Sequence, residues 1–403
     1  MVEESNGKSD GRAELKEFGV RAVLDRADFG TLLTALGADG RKIIGPTVRD
    51  GAVIYDEIER VEDLPIGWKD EQSPGRYRLV RAERPALFDY VVGPQSWKKI
   101  LHPPQVRLWS AKRDGDGFTI DATPPPSASY AFLGVRGCEM EAIARLDRVF
   151  LGGEYVDSTY ERNRDGLLLV AINCGRAGGT CFCTSMGTGP RVGRGYDLVL
   201  TELIDEAGHR FLLEAGSERG AELLAGLPVR EAMVADLAAA ESVVAGTAAS
   251  MGRKVETAGL RELLNQQAEH PVWDEVARRC LTCANCTMVC PTCFCSTVED
   301  VTDLTGDHAE RWRKWDSCFT IDFSHLHGGS VRQSTRARYR QWLTHKLSSW
   351  IDQFGESGCV GCGRCIAWCP VGIDLTAEIS AIREVPATES GAESNSNTIK
   401  EPR

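Results

Sequence analysis

Eight of the chain's fifteen cysteines stand in two runs of identical spacing. Cys280, Cys283, Cys286 and Cys290 are followed by Pro291, and Cys359, Cys362, Cys365 and Cys369 are followed by Pro370, an internal repeat. The amino terminus, Met1 to Asp10, is polar and acidic and reads as no secretory signal, so an odd cysteine count points to metal rather than to disulfides. Three closely spaced thiolates converge on adjacent corners of a cuboidal 4Fe–4S cluster. A tetrahedral zinc site instead takes two cysteines from each of two separated knuckles, and no second CxxC pair sits at that separation. In two-cluster ferredoxins the fourth cysteine of each run ligates the other cluster. That assigns Cys280, Cys283, Cys286 and Cys369 to one cluster and Cys359, Cys362, Cys365 and Cys290 to the second. Pro291 and Pro370 turn the chain after the last ligand, and Gly358, Gly361 and Gly363 leave room for backbone N–H groups to reach cluster sulfurs.

Seven cysteines fall outside the repeat: Cys138, Cys174, Cys181, Cys183, Cys293, Cys295 and Cys318. Cys181-Phe182-Cys183 and Cys293-Phe294-Cys295 are matching tripeptides, and their four thiols are candidates for a third metal or redox centre. The competing reading is a set of small buried hydrophobes, which is favoured for Cys138 and Cys318 taken singly. No dinucleotide fingerprint and no phosphate loop occurs, so the glycine-rich stretch Gly175 to Gly195 reads as a loop shaped around Cys181 and Cys183. No CxxCH is present for covalent haem. His325, His327 and His345 read as structural or surface side chains, and nothing resembles a nucleophile and base, so no catalytic residue is assigned.

The remaining chain reads as an α+β fold: a mixed α/β amino-terminal domain over residues 16–254, then a mainly helical two-cluster ferredoxin-like domain over 255–385. Residues 1–15 and 386–403 read as flexible tails. Arg76 to Val80 and Ala86 to Val92 are short apolar segments. Tyr130 to Val135, Leu167 to Ile172 and Leu198 to Leu203 read as strands, and Cys138 to Phe150 and Val229 to Ala245 as helices. The stretch between Cys290 and Cys359 reads as helical, with one long helix over Ser330 to Phe354. Beside its apolar stripe, Arg332, Arg336 and Arg340 form a row that is either a solvated face or electrostatic support for an anionic cluster or a docking surface. The longest apolar run, within Gly166 to Cys174, is about half of the roughly 20 residues a spanning helix needs. With 47 basic against 58 acidic residues the net charge of −11 argues against a nucleic-acid or anionic-membrane binder, and the protein is read as cytoplasmic.

Cys290 to Cys295 (CPTCFC), Tyr339 to Leu347 (YRQWLTHKL) and Ser357 to Ile373 (SGCVGCGRCIAWCPVGI) resemble the 4Fe–4S dicluster beta subunit of soluble nickel-iron hydrogenases, also called sulfhydrogenases. Gly134 to Phe150 and Cys181 to Pro190 extend the resemblance, which covers roughly residues 60 to 380. The A subunit of anaerobic sulfite reductase is a similar sister family. The resemblance implies an electron relay between a flavin subunit exchanging hydride with NAD(P)H and a catalytic partner. That partner is a hydrogenase small and large subunit pair, or a sirohaem sulfite reductase. It carries the family's cluster ligands onto the eight repeat cysteines, and its Cys-Phe-Cys segments onto Cys181, Cys183, Cys293 and Cys295. A third reading, an iron-sulfur redox sensor, lacks a helix-turn-helix or basic surface in its support.

Overall fold

The computed structural model describes residues 20–122 and 128–384; both expected tails, 1–15 and 386–403, lie outside them. Leu168–Ile172 is LLVAI, buried along its whole length, and such a run belongs at the centre of a sheet covered on both faces. It does so here. Numbered along the chain, the strands of the first half are β1 (Arg21–Asp25), β2 (Lys42–Arg49), β3 (Ala52–Glu57), β4 (Trp68–Ser73), β5 (Arg76–Arg81), β6 (Gln105–Asp114) and β7 (Gly117–Asp121). There follow β8 (Tyr130–Arg136), β9 (Leu168–Ile172), β10 (Leu198–Asp205), β11 (Gly208–Ala215), β12 (Arg230–Glu231), β13 (Ser296–Thr302) and β14 (His308–Trp315). An eight-stranded sheet runs in the order β12-β1-β11-β10-β9-β8-β2-β3, with parallel pairs β2/β8, β8/β9 and β9/β10 at its centre and antiparallel pairs outside them.

One face of this sheet packs on the helix Phe29–Leu36 through Phe29, Leu32 and Leu33 against Phe88 and Phe211. The other face packs on the helix Gly137–Phe150, whose Met140, Ile143 and Leu146 meet Trp97, Phe132 and Tyr160. A second apolar core, with Trp273, Tyr339, Trp342, Leu347, Ile366 and Ile379, holds the helices Val272–Arg279 and Leu375–Glu384 around the cysteine runs. The fold class thus matches the expectation: sheets dominate the first part of the chain and helices the last.

Several elements differ from their sequence reading. The stretch between the cysteine runs is not wholly helical, because Ser296–Thr302 and His308–Trp315 form a hairpin. Its strands are exposed or half-buried and mostly polar, so they lack a clean two-residue apolar period, and the pairing that fixes them is with distant β6. The result is a four-stranded sheet, β13-β14-β6-β7, with strands from both sides of the boundary expected at residue 254. The alanine-rich helix begins at Val234, not Val229, because Arg230–Glu231 pairs with β1; it ends at Ala249. The long helix starts at Thr335, where the Ser334 hydroxyl accepts from Ala337 N, and passes through a π-helical turn at His345–Ser349 before ending at Phe354. Ala86–Val92 is buried without regular structure. Carboxylates replace ladder partners there, Glu202 accepting from Leu87 N and Phe88 N and Asp70 from Val91 N.

Candidate iron-sulfur site

The two cysteine runs fold alike. In the first, Thr282 and Ala284 carry φ of 51° and 63° and lead into a one-turn helix, Asn285–Met288. At the equivalent places of the second, Gly361 and Gly363 carry φ of 64° and 75° and lead into Arg364–Ala367. This turn aims a backbone N–H at the first cysteine of each run. Thr282 N donates to Cys280 Sγ and Gly361 N to Cys359 Sγ, both at 3.4 Å, and Ile373 N donates to Cys369 Sγ at 3.3 Å. Such bonds raise the potential of an iron-sulfur centre by stabilising negative charge on its sulfurs.

A left-handed backbone costs a residue with a Cβ about 1–2 kcal/mol, a strain borne by Thr282 and Ala284 but not by the glycines. Gly361 and Gly363 answer a second demand that clearance for cluster sulfurs does not cover. A Cβ on Gly361 would stand 2.7 Å from the backbone of Phe182 and Cys183, and one on Gly363 would stand 2.3 Å from the Thr180 carbonyl. The loop carrying the first Cys-Phe-Cys tripeptide lies directly on the second cysteine run.

Cys280, Cys283, Cys286 and Cys369 line one chamber, together with Cys365, Phe319, Tyr339 and Trp342. The fourth cysteine of the second run therefore faces the first three of the first run. Cys365 links to the other group: burial pushes its thiol well up, and the sulfurs of Cys359, Cys362 and Cys290 push it further. Burial likewise pushes Cys359 up to about 12 and Cys286 well above the usual thiol range. Buried thiols of this kind are protonated without metal and must release protons when they bind it. Among the described residues no three His, Cys, Asp or Glu side chains converge tightly enough to hold a single metal ion. A cuboidal cluster requires a different arrangement, with thiols ringing a chamber to meet irons at separate corners.

Buried cations near the runs, Lys346, Arg364 and Lys98, had no signal in the cysteine pattern. Lys346 Nζ donates to Thr292 Oγ1 at 3.0 Å, and that hydroxyl lies 3.3 Å from Cys290 Sγ and donates to the Gly358 carbonyl at 2.7 Å. Burial opposes the Lys346 charge, yet the sulfurs of Cys290, Cys293 and Cys359 hold its ammonium well above the ordinary value. A hydrogen bond with Cys293, then the Lys346 charge, hold the Cys290 thiol well below its usual range. Arg364, between Cys362 and Cys365, has a fully buried side chain paired with the Glu139 carboxylate, itself 1% exposed. Arg364 also donates to the carbonyls of Gly93 and Gln95 at 3.0 Å. Glu139 accepts further from Tyr55 Oη at 2.8 Å, Trp97 Nε1 at 3.1 Å and Arg136 N at 3.2 Å. This network rivets the second run to the helix Gly137–Phe150 of the large sheet.

The two Cys-Phe-Cys tripeptides have different surroundings. Cys293 bonds to Cys290, and a hydrogen bond with Cys318 brings the Cys295 thiol down to about 7. Cys181 and Cys183 instead line another chamber with Cys138, Cys174 and Cys362 of the second run. The arginine row turns away from the cysteines: Arg336 and Arg340 both pair with Glu269, and Arg332 bonds to Ser324.

Residues 279–373 match the family described as 4Fe-4S dicluster domain. The chain is 28% identical over 346 residues to sulfhydrogenase 2 subunit beta of Pyrococcus furiosus, an alignment covering 85% of this chain and 92% of that protein. No solved structure matches it.

Proposed function

We propose, for a chain that these likenesses support as a hydrogenase beta-type iron-sulfur subunit, that it relays single electrons inside a multi-subunit hydrogenase complex. Its partners on this reading are a flavin subunit that exchanges hydride with NAD(P)H and a nickel-iron catalytic module of small and large subunits. Cys280, Cys283, Cys286 and Cys369 hold one 4Fe–4S cluster, and Cys359, Cys362, Cys365 and Cys290 the other. The observation that carries the reading is the shared chamber of Cys280, Cys283, Cys286 and Cys369, three thiols from one run and the last from the other.

Each cluster, when bound, supplies a centre that accepts or gives one electron. The protein sets the terms. Backbone N–H groups of Thr282, Gly361 and Ile373 offset the thiolate charge, Lys346 adds a buried cation beside Cys290, and Phe319, Tyr339 and Trp342 keep water from the first chamber. Cys283 is exposed, beside Leu281 at 61% and Val371 at 37% exposure, so this apolar face is where a partner's electron carrier approaches. Among the described residues no helix is long and apolar enough to cross a membrane, which accords with a soluble complex in the cytoplasm.

Cys365→Ser tests the reading in the native complex. The variant is expected to lose one cluster and to stop hydrogen-linked NAD(P) turnover while the large sheet stays folded. Turnover at the wild-type rate refutes it, and copurifying sirohaem in place of nickel assigns the subunit to sulfite reduction.

A further inference from the structure

We propose that Cys138, Cys174, Cys181 and Cys183 bind a third iron-sulfur cluster, set against the second cysteine run. The four thiols come from separate places in the chain: the first turn of the helix Gly137–Phe150, the end of β9, and the loop that follows. All four are free and line one chamber, as Cys280, Cys283, Cys286 and Cys369 line another. Val91, Val92 and Met251 add apolar wall, Cys362 of the second run also reaches the chamber, and Arg176, paired with Asp70, closes one side.

The charge in that wall is the independent observation. Arg136 lines the chamber and is 1% exposed. Its Nη2 donates to the carbonyls of Phe88 at 2.9 Å and Tyr90 at 2.7 Å, but its Nε is buried without a partner. No ion-pair partner of Arg136 occurs among the described residues. The nearby carboxylate, Glu139, is already paired with Arg364, so two buried guanidiniums share one negative charge and the wall favours a further anion. Four thiolates around a cuboidal cluster carry net negative charge, which a neutral set of four buried thiols lacks.

The chamber adjoins the second run. Cys181 Sγ lies 3.9 Å from the Cys362 carbonyl, Phe182 N donates to the Gly361 carbonyl at 2.8 Å, and Thr188 Oγ1 donates to the Val360 carbonyl at 2.6 Å. The closeness that forbids a Cβ at Gly361 and Gly363 thus brings this third set of thiols beside Cys362. If the chain relays electrons as proposed above, this centre extends the path from the apolar face at Cys283 through both runs toward the large sheet. Loading adds iron and sulfide, and each ligating thiol gives up its proton as its Fe–S bond forms.

The test is iron and sulfide analysis, with paramagnetic resonance of the reduced protein, on full-length chain purified anaerobically and reconstituted with iron and sulfide. The wild type is expected to hold about twelve irons and twelve sulfides, and Cys174→Ser and the double variant Cys138→Ser/Cys181→Ser about eight, with the remaining two signals intact. Cys295→Ser and Cys318→Ser are expected to keep all twelve. A wild type with eight irons, with or without zinc, overturns the proposal, as does a Cys174→Ser variant retaining all twelve. Failure of the two-cluster reading is distinguishable, because it appears as loss of the iron that Cys283→Ser and Cys365→Ser would otherwise remove.

Discussion

Replacing Lys346 with methionine keeps an unbranched side chain of similar length in the core while deleting one buried positive charge. The contacts of 3.0 Å from Nζ to Thr292 Oγ1 and 3.3 Å from that oxygen to Cys290 Sγ put the ammonium close to a proposed ligand of the second cluster. Taking roughly 8–10 Å to the centre of the cluster's charge and an effective dielectric constant of about 20, the interaction is about 2 kcal/mol. The reduced cluster carries one more negative charge than the oxidised one, so the ammonium favours reduction. At ~59 mV per 1.4 kcal/mol for one electron, Lys346→Met lowers the potential of that cluster by about 80 mV. The first cluster, farther off, moves much less. The assay is a redox titration followed by paramagnetic resonance on protein with its iron content verified. Lys314→Met, on the half-exposed hairpin, serves as a control in which solvent and salt screen the lost charge. The reasoning fails if Lys346→Met retains its iron and neither potential moves by more than about 20 mV, or if the affected potential rises.

Three further outcomes are expected. Arg364→Met strands the buried Glu139 carboxylate and should lower stability by about 3–5 kcal/mol in urea denaturation followed by circular dichroism, much of it recovered by adding Glu139→Gln. Ala284→Gly, which relieves a left-handed backbone, should raise stability by about 1 kcal/mol, whereas Gly363→Ala at the equivalent position should lower it far more because its Cβ would meet the Thr180 carbonyl at 2.3 Å. Burial, followed by the Arg313 charge, depresses the His102 imidazole to about 3, where it stacks on Phe150 and Trp315. The unfolded chain takes up that proton near pH 6.5, so the contribution is complete above that pH and declines toward pH 3, by about 2 kcal/mol at pH 5. His102→Phe should remove this part of the acid slope in urea midpoints measured across pH, and an unchanged slope would refute it.

The cysteine spacing pointed to the chamber that Cys369 shares with Cys280, Cys283 and Cys286, because residue type and a handful of local offsets carry that signal. The strand Leu168–Ile172 was legible for a similar reason, since LLVAI is an unbroken apolar run, while its place among the parallel pairs of the large sheet follows from the fold. What the pattern did not carry was non-local. Ser296–Trp315 is mostly polar and finds its strand conformation through β6, nearly two hundred residues upstream. Cys138 and Cys174 have no spacing in common with Cys181 and Cys183, and only the fold around β8 and β9 brings them to one chamber. Lys346 and Arg364 read as ordinary members of a basic helix and a cysteine loop, and their burial follows from packing between distant segments.

The sheet built from two hairpins of different parentage has a consequence for anyone who would cut this chain in two. Dividing it near residue 254 separates β14 from β6, leaving each fragment with an open flank of unsatisfied backbone amides and carbonyls ready to zip onto a neighbour. A cysteine-bearing fragment expressed alone should precipitate or self-associate before its chemistry can be examined, whereas the two pieces made together should find one another. A clasp of this kind makes the redox module and its scaffold inherit each other's stability.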